Sequence, residues 1–235
     1  MPPYICHPTF KGGLSPPYKT HLDAEENGGL AKLACMNIFK DEKEIINHAV
    51  KFIEERTESL KKDVEHCLRK PYAPFPALLY CFSTIELLGA LHGGNAAKSG
   101  NQPQKYLKNF MHYTKEQMDL LMKIFRHKIV HLAQPSPVIK YNNNYISWHY
   151  YHEKHENHLK LVKHNHRVKF LFTKSKYIEY THEFNISIAG LMEDILKSVN
   201  KPQEGYLAQL KNNVGLQKNF KEAYTAIYKD ALSQS

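Results

Sequence analysis

Cysteine is scarce in this 235-residue chain, and Cys6, Cys35, Cys67 and Cys81 nowhere form a CxxC pair. The opening MPPYICHPTF also lacks a basic start followed by an apolar run, so it does not read as a secretory signal. The cysteines are therefore expected as free thiols rather than a disulfide framework, and the protein as cytoplasmic. No uninterrupted run of about 18 or more apolar residues occurs, so neither a membrane span nor a membrane partner is expected. Negative charge is the minority sign, 23 Asp and Glu against 32 Lys and Arg, which leaves a formal charge of +9. An excess of positive charge favours a polyanionic partner such as RNA.

Residues 1–35 alternate Pro2, Pro3, Pro8, Pro16 and Pro17 with Gly12, Gly13, Gly28 and Gly29, and neither a helical nor a strand period emerges. They are expected as a disordered tail, or as a leader upstream of a true start at Met36. From about 40 to 69, Ile46, Ala49, Ile53, Leu60, Val64 and Cys67 recur at helical steps between Lys and Glu. PALLYCFSTIELLGALH, at about 76–92, is apolar nearly all round and predicts a helix in the middle of a bundle, with Glu86 as its one charged residue. A carboxylate in that setting needs a partner. A short helix is predicted near 102–112. A further one begins at the capping-box sequence Thr114-Lys-Glu-Gln117, with Met118, Met122, Phe125, Ile129 and Leu132 as its core stripe.

Between about 138 and 181 the period changes to two. Ile146, Trp148 and Tyr150 alternate with polar neighbours, as do Val168, Phe170 and Phe172, and Asn142-Asn143-Asn144 reads as a turn. Three or four strands are expected, as a meander or a pair of hairpins. Helices should come after them at about 182–199, with Phe184 on the apolar face of the first, then near 203–212 and 216–232. The fold class is thus mainly α: residues 36–235 form a helical bundle with a β insertion before a late bundle helix.

Phe125-Arg126-His127-Lys128-Ile129-Val130-His131 carries the chemistry. Cleavage of RNA without metal needs a base for the 2′-OH proton, which imidazole supplies near neutral pH. It also needs a fixed cation for charge building on the phosphoryl oxygens, which a guanidinium fork supplies. Five residues on an ideal helix turn by about 140°, so Arg126 and His131 meet only if the backbone departs from helix, the arginine reaches round, or two copies share the site. His127 and His131 fall on a second face with Leu120 and Ile124, which implies either a deeply buried helix or a partner surface.

An arginine, a polar residue, three more residues and a histidine on a late helix of a small bundle resembles the HEPN superfamily. Arg126, His127 and His131 fill those places, and the resemblance covers roughly 40–132 and 182–199. It implies a metal-independent endoribonuclease with Arg126 and His131 catalytic, His127 and Glu86 supporting, and no cofactor. It also implies homodimers and toxin or defence roles, with an antitoxin-like protein as a partner. The alternative within the superfamily is a non-catalytic module that binds RNA or a protein. Where the toxin subgroup carries Tyr two residues after the histidine, this chain has Ala133.

The β segment adds eight Lys and Arg against three Glu, with Tyr141, Tyr145, Trp148, Tyr150 and Tyr151 between them. Lys160, Lys163, Arg167 and Lys169 are the candidate contacts to single-stranded RNA. His149, His152, His155 and His158 recur at every third residue, with His164 and His166 after them. The order His-Glu-x-His is one residue short of a zinc-protease helix, so a histidine-rich loop is expected here rather than a metal site. His127 and His131, four apart, could also hold zinc, but no third ligand is evident.

A chain beginning at Met36 is expected to melt at the same temperature as the full one. A loss of several degrees would show that residues 1–35 pack on the core.

Overall fold

Among the described residues, regular structure begins where the apolar period begins. The computed structural model describes residues 41–95, 101–126, 129, 135–171 and 176–232, less the side chains of 42, 166, 170, 171 and 228–232. All of them belong to one unit, Asn37–Ser235. The expectation for residues 1–35 falls outside the described residues.

Helix α1 (Glu42–Cys67) starts at Asp41, whose carboxylate accepts the Glu44 N–H at 2.7 Å. Ala49, Ile53, Leu60 and Val64 are buried along its inner face, joined by Ile45 and by Thr57. The Thr57 hydroxyl is satisfied by donating back to the Ile53 carbonyl at 2.9 Å. Helix α2 (Pro74–Gly93) starts with proline, where no helical N–H is required, and ends at Gly94 with φ +75°. Asn219 donates to the His92 carbonyl at 2.7 Å, closing this end against the last helix.

α2 is the central helix. It packs on α1, on α3 (Gln102–Phe110), on α5 (Ile188–Asn200) and on α7 (Val214–Leu232). Among the described helices it alone is long and apolar enough, by length and composition, to cross a membrane. Ser83, Thr84 and Glu86 interrupt its apolar run but leave the mean hydropathy high, which is why the uninterrupted-run criterion passes over it. Ala77, Leu78, Cys81, Phe82, Ile85, Leu88 and Leu91 are buried inside the chain, as in the core helix of a bundle. At Gly89 a Cβ would stand 2.7 Å from the Pro103 backbone nitrogen, so α3 crosses where α2 has no side chain.

The capping box forms at the expected residues: Gln117 N–H donates to Thr114 Oγ1 at 3.2 Å, and Thr114 N–H to Gln117 Oε1 at 2.9 Å. Helix α4 (Lys115–Leu121) does not continue as the single long α-helix expected. It widens into π-helix over Met122–Arg126. Met122, Phe125 and Ile129 are buried as the stripe predicts, and so are Leu120 and Ile124.

The sheet holds β1 (Ile139–Tyr141), β2 (Asn144–Tyr151), β3 (Leu161–Leu171) and β4 (Tyr177–Ser187) in the order β1-β2-β4-β3. Asn142 and Asn143, with φ 45° and 62°, make the tight turn of the β1–β2 hairpin. β3 and β4 are antiparallel neighbours as well, so of the two expected arrangements the strands form the pair of hairpins and not the meander. The long loop after β2 lets β4 enter beside it in parallel, pairing Trp148 with Phe184 and Tyr150 with Ile186. The expected helix over 182–199 is correspondingly shortened. Residues 182–187 are strand, because Phe184 and Ile186 alternate toward the core against β2, and α5 starts only after Ser187 accepts the Gly190 N–H at 2.9 Å. α6 (Tyr206–Asn212) and α7 complete the fold close to their expected bounds.

Gly89→Ala is expected to destabilise the fold by about 1–3 kcal/mol through overpacking against α3. Urea unfolding of the variant would measure it, and an unchanged midpoint would refute so close a crossing.

Candidate functional site

The lone charge of α2 finds its partner in the motif. Arg126 Nε donates to Glu86 Oε1 in a short ion pair, with the arginine side chain 14% and the glutamate 32% exposed. Burial of Arg126 beside a carboxylate fixes the guanidinium plane, and its terminal nitrogens make no hydrogen bond among the described residues. A fork held from its Nε side in this way presents its outer edge to an anion.

Three aromatic contacts fix the backbone next door. Phe125 is fully buried, stacked on Phe82 at 6.1 Å between centroids and edge-on to Trp148 at 5.7 Å, with Phe184 at 6.5 Å. Such a ring contributes roughly 1.5–3 kcal/mol by burial, so α2 and the sheet together clamp the residue preceding Arg126. The π-turn over Met122–Arg126 ends at the arginine, before the stretch that separates Arg126 from His131, and such turns recur at functional sites. The Ile124 carbonyl accepts the Ser136 N–H at 2.8 Å, so the chain returns beside the π-turn after the motif. His127 and His131 themselves lie outside the described residues.

Leu120 and Ile124 are fully buried within the chain. For these two residues the deeply buried helix is the outcome of the two expected, while His127 and His131, which share the face, lie outside the described residues.

The four candidate RNA contacts are divided. Five steps along β3 from Lys163 to Val168 answer only two along β4, from His182 to Tyr180. That bulge turns Lys163 toward the His182 face, while Lys169 lies opposite Glu179 on the other. Arg167 Nη1 reaches Glu179 Oε2 at 3.1 Å, and Lys169 Nζ sits 4.2 Å from the Tyr177 ring centroid. Lys160 is exposed before the strand begins.

Three histidines of the insertion find separate partners. His152 stacks on Tyr72 with centroids 4.1 Å apart, and His155 on Tyr151 at 3.6 Å. Among the described residues no three His, Cys, Asp or Glu side chains gather as a metal site. His158 accepts the Ser187 N–H on Nδ1 at 2.9 Å and turns Nε2 to within 3.3 Å of Asp194 Oδ2. That is a charge-pair distance, off the line of a good hydrogen bond. The Tyr113 hydroxyl donates to the same oxygen at 2.8 Å. Sequence reasoning missed this cluster, since Tyr113, His158 and Asp194 come from three separate segments with no shared motif.

Burial raises the Asp194 carboxyl, but His158, the Tyr113 bond and the charge of Lys197 outweigh it and leave the group below its ordinary range. Burial and then Asp194 push the Tyr113 phenol well up. The cluster ties the histidine loop to α5 and to the start of α4, with His158 Nδ1 held by the Ser187 N–H and Nε2 facing the Asp194 carboxylate.

Comparison with protein-family models, with curated proteins and with solved structures finds no match to this chain.

A carboxylate lowered on folding adds stability above its unfolded pKa of about 3.9 and loses it as pH falls through the folded value. Asp194→Asn should therefore flatten the fall of the urea midpoint below about pH 4. Equal acid slopes in the two proteins would remove Asp194 from the account.

Proposed function

We propose that this chain is a metal-independent endoribonuclease of HEPN type. Arg126 binds the scissile phosphate and His131 removes the proton from the attacking 2′-OH. The new 2′-O–P bond forms as the bond to the 5′-oxygen breaks, and that oxygen takes up a proton, leaving a 2′,3′-cyclic phosphate. Guanidinium stabilises the charge that builds on the phosphoryl oxygens.

The observation that carries this reading is the Glu86–Arg126 pair. It orients a nearly buried arginine from its Nε side, at a π-turn, and the terminal nitrogens make no hydrogen bond among the described residues. Sequence places His131 midway along the span closed by the bond between Ile124 and Ser136, five residues from Arg126. His127 would serve orientation alone. The excess of Lys and Arg over Asp and Glu favours association with RNA in any register.

The same ion pair supports a second reading. Glu86 and Arg126 join α2 to the motif, and such a bond stabilises a non-catalytic module that binds RNA or a protein as readily as an enzyme.

Purified protein incubated with a mixed single-stranded RNA pool in EDTA should give products ending in cyclic phosphate. His131→Ala is expected to lower the rate on the order of 100- to 10,000-fold with RNA binding nearly intact. Arg126→Lys should rescue poorly, lacking the planar fork. No cleavage by the wild type under varied conditions would leave the binding module, and equal cleavage by wild type and folded variants would put the activity elsewhere.

A further inference from the structure

Two of the large rings exposed among the described residues share a cleft on the solvent face of the sheet. Tyr145 and Tyr177 are 47% and 48% exposed, and both line an opening of about 680 Å³ together with Arg167 and Glu179. The alternation of β2 explains the first ring: Ile146 and Trp148 turn inward, so Tyr145 turns outward. Tyr177 starts β4, opposite Leu171, on the same face as Glu179. By the rise per residue, the two rings stand on the order of 13 Å apart along the strand direction. They are separate platforms and not one packed pair.

Cations surround these rings. Lys140 is the antiparallel partner of Tyr145, Lys169 Nζ lies over Tyr177 at 4.2 Å, and Arg167 lies between the two levels. Glu179 answers Arg167, which leaves the charge of this surface positive. Residues 138–181 as a whole carry a net +5 of the chain's +9.

We propose that this face is a stacking platform for single-stranded nucleic acid, with Tyr145 and Tyr177 each receiving a base and Lys140, Arg167 and Lys169 meeting the phosphates. Flat rings accept any base, and the nearby cations track the backbone. Duplexes are not served, because their bases are already stacked on each other. The choice of ligand rests on the reading of the chain as an RNA-directed protein, while the residues are separate from Arg126.

The test uses the full chain with labelled 2′-O-methyl oligouridine and oligothymidine, neither of which offers a 2′-OH for cleavage. Anisotropy should show binding that weakens with salt. Tyr145→Leu and Tyr177→Leu should each weaken it by roughly 5- to 100-fold with the salt slope unchanged. Tyr177→Trp should retain affinity, and Lys140→Gln or Lys169→Gln should each lower the slope by about one. Tighter binding of oligouridine would name RNA as the ligand, and equal binding would name either strand; both sustain the platform. Folded leucine variants that bind like the wild type would overturn it, as would a duplex of equal length binding more tightly, or no binding at low salt. A chain that binds these oligonucleotides but never cleaves RNA removes the ribonuclease reading and leaves the platform standing. RNA cleavage at the wild-type rate by a folded double leucine variant that no longer binds oligonucleotide would still support the platform as a separate site.

Discussion

A carboxylate on an otherwise apolar helix sets the terms for the middle of this molecule. α2 buries about half of its residues, and Glu86 itself sits partly buried among them. Leaving an ionised carboxylate half-buried without a partner is costly. Arg126 answers it, and the answer fixes where the segment after α4 must run. The helix reaches Glu86 by widening into a π-turn, which rotates Arg126 away from where straight α-helix would carry it. Phe125 then falls between Phe82, Trp148 and Phe184. Charge pairing and aromatic packing thus specify one geometry between them, and the sheet docks on the result.

Docking of the sheet depends on β4 in turn. This strand separates β2 from β3 and continues directly into α5, so its core face belongs to both sheet and bundle. Asn185 N–H donates to the Lys160 carbonyl at 3.0 Å and Leu159 N–H to the Asn185 carbonyl at 2.8 Å, stitching the histidine loop to the end of the strand. Ser187 caps α5 and also donates to the Glu153 carbonyl. A segment that looks in sequence like a row of metal ligands is thereby held by backbone bonds, ring stacking and one carboxylate. Its histidines serve different neighbours because the loop curves, and a repeat of three along a curved loop shares no common face.

The same sheet divides its charges by geometry. A regular strand would set Lys163, Arg167 and Lys169 on one face, since their spacing is even. The bulge in β3 breaks that rule and exchanges the face of everything before it. It also twists the long edge strand, whose lysines and arginine discourage pairing with a further chain. The outward face keeps two exposed tyrosines, its cations and a single paired glutamate at the cleft, and the inward face keeps the aromatic core.

The helical order, the capping box at Thr114, the central place of α2 and the need of Glu86 for a partner were all determined by sequence alone. Each rests on a local signal: an apolar period, a hydroxyl three residues before an amide, or a charge where none is comfortable. Tertiary structure decided what depends on pairing between distant segments. Phe184 reads as helix until β2 supplies a strand beside it, and the bulge that separates Lys163 from Lys169 leaves no mark in the alternation. Leu120 and Ile124 read as a second apolar face, open to a buried helix or a partner surface alike, until the fold buries both. The Tyr113–Asp194–His158 cluster joins three segments that share no period, so no window along the chain contains it. Local sequence sets the period and the cap, whereas register and burial are set by the partner strand and the covering layer.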